Sequence, residues 1–172
     1  MCASAEIPLR TDAAARVEAS LSRREEFEIL KVAHGFGLQA PEPLWLCDDM
    51  TVTGREFFIM QRLPGIATGH RVTRDTSIVP DAARLAQDLA ENLARLHSLT
   101  PPHARLGFLK TMHARDNIAH YRAYLDRLNE AHPALEWGLR WCEINAPQHE
   151  ETTFIHRDYR TGSVIMALWA GL

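Results

Sequence analysis

The chain has 172 residues, 46% of them hydrophobic and 24% charged, with a formal net charge of −3. It is long and apolar enough to bury a core, and its charge gives no reason to expect a nucleic acid or an anionic membrane as partner. Cys2, Cys47 and Cys142 match neither a disulfide framework nor a CxxC metal site. With no apolar leader and no run near the ~18 apolar residues of a bilayer crossing, a cytoplasmic protein with reduced thiols is expected.

The first predicted element is a helix from Ser22 to His34, where Phe27, Leu30 and Ala33 hold helical spacing and Gly35-Phe36-Gly37 stops it. Leu44–Cys47 reads as a strand closed by Asp48-Asp49. Glu56–Met60 reads as a second, and the turn around Thr53-Gly54 makes an antiparallel pair of the two. Gln61-Arg62-Leu63-Pro64-Gly65 then ends the strand and serves as a connector.

From Pro80 the pattern turns helical. Leu85, Leu89, Leu93 and Leu96 form an apolar stripe, with Asp81 in the first turn and His97 in the last, before Pro101-Pro102 ends it. Two more helices are predicted, around Asn117–Ala131 and Ala134–Asn145, the second burying Trp137, Leu139 and Trp141. Short strands are predicted at Thr152–Ile155 and Val164–Met166.

Between those two strands lies His156-Arg157-Asp158-Tyr159-Arg160-Thr161-Gly162-Ser163, close to H-R-D-x-x-x-x-N. Phosphoryl transfer needs a carboxylate beside the acceptor hydroxyl and, five residues on, an oxygen that can hold magnesium; Asp158 and Ser163 have that spacing. An isolated HxD in a turn is more often structural, so the neighbouring motifs decide its weight. The nine histidines show no HExxH or other short-gap ligand pattern, and there is no G-x-S-x-G elbow.

Several segments in order carry a resemblance: Leu9-Arg10-Thr11-Asp12, Arg24–Leu30, Pro41–Leu44, Gly54–Met60, Pro64-Gly65, Leu93–His97 and His156–Ile165. Together they resemble the aminoglycoside phosphotransferase and choline kinase-like family, small-molecule kinases that include the kinase-like domains attached to some acyl-CoA dehydrogenases. The resemblance implies an α+β, protein-kinase-like two-lobe fold. Residues 1–63 would form a reduced N-lobe with a hinge at about 60–65, and residues 64–172 a partial helical C-lobe.

It further implies an ATP- and Mg2+-dependent kinase that moves a phosphoryl group to the hydroxyl of a small molecule. Asp158 would be the catalytic base, with His156 supporting its loop and Arg157 standing where the family has glycine. Arg10 would lie over the nucleotide phosphates, held by Glu26; Met60, Gln61 and Leu63 would meet the adenine; Ser163, in the place of Asn, would be the metal ligand.

The pattern is incomplete at both ends. Val164–Leu172 holds no Asp or Glu for the second metal ligand, and no glycine-rich run precedes Arg10. A truncated phosphotransferase is therefore expected, its uncovered apolar surface favouring self-association. The alternatives are a noncatalytic nucleotide-binding pseudo-kinase fragment and a non-functional truncated gene product.

Overall fold

A computed structural model describes residues 8–11, 21–66, 68–128 and 130–160. Its elements run β1 (Leu9–Thr11), α1 (Arg23–Gly35), β2 (Pro43–Cys47), α2 (Met50–Thr53), β3 (Phe57–Met60), α3 (Gly69–Arg74), α4 (Ala82–His97), α5 (Ala114–Leu128) and α6 (Pro133–Asn145). They fall into two compact units, one built from the chain up to Phe108 and again from Thr153 onward, the other from Leu109–Thr152.

In the first unit, α1 begins where Ser22 supplies a capping box. The Ser22 hydroxyl accepts the Glu25 N–H at 3.2 Å, and the Glu25 carboxylate accepts the Ser22 N–H at 2.7 Å. The helix ends in a Schellman turn: Leu38 N–H donates to Ala33 O, Gly37 N–H to His34 O, and Gly37 takes the left-handed φ of 80°.

The sheet has strand order β1-β3-β2, antiparallel throughout. Register places Arg10, Phe58 and Leu46 in one cross-strand row and Leu9, Ile59 and Trp45 in the next, so the two rows face opposite sides. Helix α1 packs on the Phe58 side, where Phe27 meets Phe58 edge-on with ring centroids 5.9 Å apart and Phe58 is 1% exposed. Among the described residues, Phe27, Val32, Pro43, Phe57, Phe58, Val72, Ile78, Leu99 and Leu106 are the buried apolar residues of this unit.

The β2–β3 connection differs from the simple turn expected at Thr53-Gly54. Asp49 accepts both the N–H and the hydroxyl of Thr51, which starts the single turn α2, and Gly54 ends it at φ 78°. The Thr51 hydroxyl, then its N–H, hold the Asp49 carboxyl below the usual carboxylate range. Helix α4 opens on Asp81 as its N-cap, one position outside the first turn, with the Arg84 N–H donated to it at 2.9 Å. Leu85, Leu89, Leu93 and Leu96 are half-buried along it.

Thr152–Ile155 is not a strand. Its polar groups turn to the end of α4, with Phe154 N–H donating to Leu99 O at 3.1 Å and the Thr153 hydroxyl bonding the carbonyls of Leu99 and His97. The expected strand Val164–Met166 lies outside the described residues.

In the second unit α5 and α6 form a hairpin clamped by charge. Arg122 donates to Glu143 at 3.1 Å and also pairs with Glu136, while Arg140 reaches Glu143 at 3.2 Å. Of the α6 residues expected to be buried, Leu139 is half-buried but the two tryptophans point outward, Trp137 75% exposed and Trp141 59%, whereas Glu136 and Glu143 are half-buried. The ions of the Arg122 clamp, Glu136 and Glu143, occupy positions on the helix that are less exposed than the indoles.

Replacing Phe58 by Ala should cost about 3–5 kcal/mol of unfolding free energy in denaturant titrations, because the largest fully buried side chain leaves a cavity. The hydrogen bond from Arg140, with further help from Arg122, holds the Glu143 carboxyl below its ordinary value of 4.5. Since the folded value is the lower one, its stabilisation is present above the unfolded value and is lost as pH falls through the folded one. Acid unfolding of the α5–α6 hairpin, followed by circular dichroism, should therefore flatten in Glu143→Gln.

Candidate active site

The sequence-derived residues gather into two groups, both within the first unit. The first follows from strand register. Arg10 pairs opposite Phe58, so it shares the side against which α1 packs, and its guanidinium reaches Glu26 of α1 at 3.2 Å. Glu26 is also paired with Arg23. Arg10 keeps 54% of its side chain exposed, so the pair contributes only on the order of 0–1 kcal/mol to stability. Its more notable property is a cation held at a set place on the sheet, with much of its surface still open.

Met60 ends β3, its N–H bonded to Pro8 O at 3.3 Å. The next N–H, that of Gln61, is taken by Glu42 O at 2.7 Å, which ties the start of the connector back to the residue before β2. Of the main-chain groups of Gln61, expected with those of Leu63 to meet the adenine, the donor is thus already engaged. Leu63 follows, half-buried, before the turn at Pro64-Gly65.

The second group is the loop from His156 to Arg160. His156, Arg157 and Asp158 are exposed. Asp158 N–H approaches His156 Nδ1 at 3.4 Å, and Arg160 Nε donates to Asp158 Oδ1 at 2.8 Å. Arg160 keeps 66% of its side chain exposed and Asp158 61%, so the carboxylate stands at the surface with a counter-ion two residues away. Tyr159 alone of Ile155–Arg160 is half-buried; its ring meets His156 edge-on at 5.4 Å and its hydroxyl donates to Leu89 O at 2.9 Å.

Arg157 adopts φ 65°, the left-handed region that a side chain with Cβ enters at a cost of about 1 kcal/mol or more. The glycine that the resemblance places there would enter freely. Tyr159 and Arg160 were not singled out from the sequence, although a tyrosine inside a run of charges, Arg-Asp-Tyr-Arg, is a signal that one member of the run faces inward.

Ser163 lies outside the described residues. Among the described residues no three His, Cys, Asp or Glu side chains come together to hold a metal ion, and no helix is long and apolar enough to cross a membrane. The second unit carries an open depression of about 380 Å3 between α5 and α6, lined by Arg115, Ile118, Ala119, Arg140, Glu143 and Ile144, none of them a sequence-derived candidate.

A family model for the phosphotransferase enzyme family matches residues 9–171, taking in both groups of candidate residues. The chain belongs to that family. Its antiparallel sheet beside α1, followed by a run of helices, is accordingly a partial kinase-like fold of α+β class. Among curated proteins, the chain is 31% identical over 152 residues to acyl-CoA dehydrogenase family member 11 of Pongo abelii, which covers 81% of this chain and 18% of that protein. It is 32% identical over 147 residues to the Gallus gallus protein of that name, with the same coverage. To acyl-CoA dehydrogenase family member 10 of Mus musculus it is 28% identical over 147 residues, 81% of this chain and 13% of the relative. The chain thus spans less than a fifth of the length of these relatives.

Arg157→Gly should raise the unfolding free energy by up to about 1 kcal/mol, since relief of the left-handed strain outweighs the added freedom of the unfolded chain. An unchanged or lower denaturation midpoint would contradict that account of the loop.

Proposed function

We propose that this chain transfers the terminal phosphoryl group of ATP to the hydroxyl of a small molecule, with Asp158 as the base. The observation that carries the reading is the state of Asp158: an exposed carboxylate on a loop that is itself tied to α4, within a chain of the phosphotransferase enzyme family. A base must be accessible to the alcohol yet fixed in direction, and this carboxylate is both.

In this reading the alcohol oxygen bonds the terminal phosphorus, its proton passes to the Asp158 carboxylate, and the bond to the nucleoside diphosphate breaks. Arg10, steadied by Glu26, supplies positive charge to the phosphates. The Gln61 carbonyl and Leu63 N–H face the adenine edge and Met60 its ring, because the Gln61 N–H is already committed to Glu42. Residues 1–63 act as the nucleotide-binding lobe with the hinge at 60–65, and 64–172 as the lobe bearing the base.

Magnesium neutralises charge on the transferred phosphates in such reactions. Ser163, which lies outside the described residues, would hold it in this reading. A second reading, a nucleotide-binding module without transfer, is favoured by Ser163 standing where the resemblance places Asn, since its hydroxyl reaches less far than an amide carbonyl.

Incubated with ATP and a panel of small alcohols, the protein should form phosphate esters detectable by mass spectrometry, and Asp158→Asn should lower the rate about 10²- to 10⁴-fold. Equal turnover by the variant would remove Asp158 from the chemistry. Nucleotide binding indifferent to Mg2+, with no ester formed, would establish the noncatalytic module instead.

A further inference from the structure

The loop that carries Asp158 is pegged to α4 at two places. Upstream, the Thr153 hydroxyl and Phe154 N–H bond the chain at His97 and Leu99; downstream, the Tyr159 hydroxyl bonds Leu89 O at 2.9 Å. Leu89 and His97 are separated by about 12 Å along a helix rising 1.5 Å per residue. The six steps from Thr153 to Tyr159 could span roughly 20 Å if extended. The surplus length has to go somewhere.

It goes outward at His156-Arg157-Asp158, all three exposed, and the chain reverses through the left-handed Arg157 before Tyr159 returns to the helix. The Leu89 carbonyl has a second lone pair beyond the one used within the helix, so it can accept the phenol without opening α4. The Tyr159 ring, edge-on to His156 at 5.4 Å, then limits how far the loop can swing.

We infer that Tyr159 is a positioning residue: its hydroxyl bond to Leu89 draws the loop tight and thereby sets the direction of the neighbouring Asp158 carboxylate. The inference rests on the phosphotransferase reading for its catalytic part, but its mechanical part stands on the two pegs alone. His156, exposed and touching Tyr159, acts through the tyrosine rather than on the helix directly.

Tyr159→Phe keeps the ring and removes only the hydroxyl, and two measurements on the full chain test it. Trypsin should cut after Arg157 or Arg160 about fivefold faster in the variant, one hydrogen bond's worth of local opening, while the global unfolding midpoint hardly moves. In the transfer assay kcat should fall roughly 10- to 100-fold with the KM for ATP unchanged, as for a misdirected base. Cleavage at the wild-type rate would overturn the anchor. Faster cleavage with unchanged kcat would overturn the positioning role, because a merely structural tether gives that result. Absence of turnover in the wild type would sink the kinase reading and the positioning role with it, leaving the tether to be decided by cleavage alone, which keeps the two failures apart.

Discussion

The contact between Phe27 and Phe58 is the one on which the placement of the first charged group depends. Phe58 sits in the middle strand of a sheet only three strands wide, with short neighbours that cannot bury it by themselves. Helix α1, laid across that side, covers it, with the two rings packed edge-on. Glu26, one residue before Phe27, is thereby carried to the strand position where Arg10 faces it across the same side of the sheet. Apolar packing does the placing, and the ion pair is its by-product, too exposed to hold the helix by attraction.

A similar division of labour governs the loop at Asp158. His156, Arg157 and Asp158 are exposed, and exposed groups do not fix themselves. The chain on either side of them bonds to His97 and Leu89 of α4 and to Leu99 just beyond it, and leucines of that helix are half-buried. Asp158 and Arg160 of the loop pair with one another at the surface.

Periodic elements were legible in the sequence and conformational detail was not. The leucine stripe marked α4, Ser22 and Gly37 marked the two ends of α1, and the family resemblance placed Arg10 and Glu26 as partners. The turn at Gly54 concealed the one-turn helix α2, because a side-chain cap at Asp49 is a local bond that hydropathy does not register. The single-turn-and-a-half helix α3 escaped for want of length, with one buried residue, Val72, to show for it. On α6 the indoles were read as the inner face since apolar side chains ordinarily go inside; the clamp of Arg122 on Glu136 and Glu143 is long-range, and periodicity is blind to it. Tyr159 was missed for the same reason, its partner lying seventy residues away in the chain.

The outward tryptophans bear on how this protein must be watched. Trp45, Trp137 and Trp141, all the indoles among the described residues, stand at 62%, 75% and 59% exposure, while the interior is lined by phenylalanine. Emission from these three indoles already reports water in the native state, so their own red shift on denaturation would be small and would say little about whether the core had melted. Ellipticity of the helices is the faithful signal, and quenching by iodide would register the surface alone.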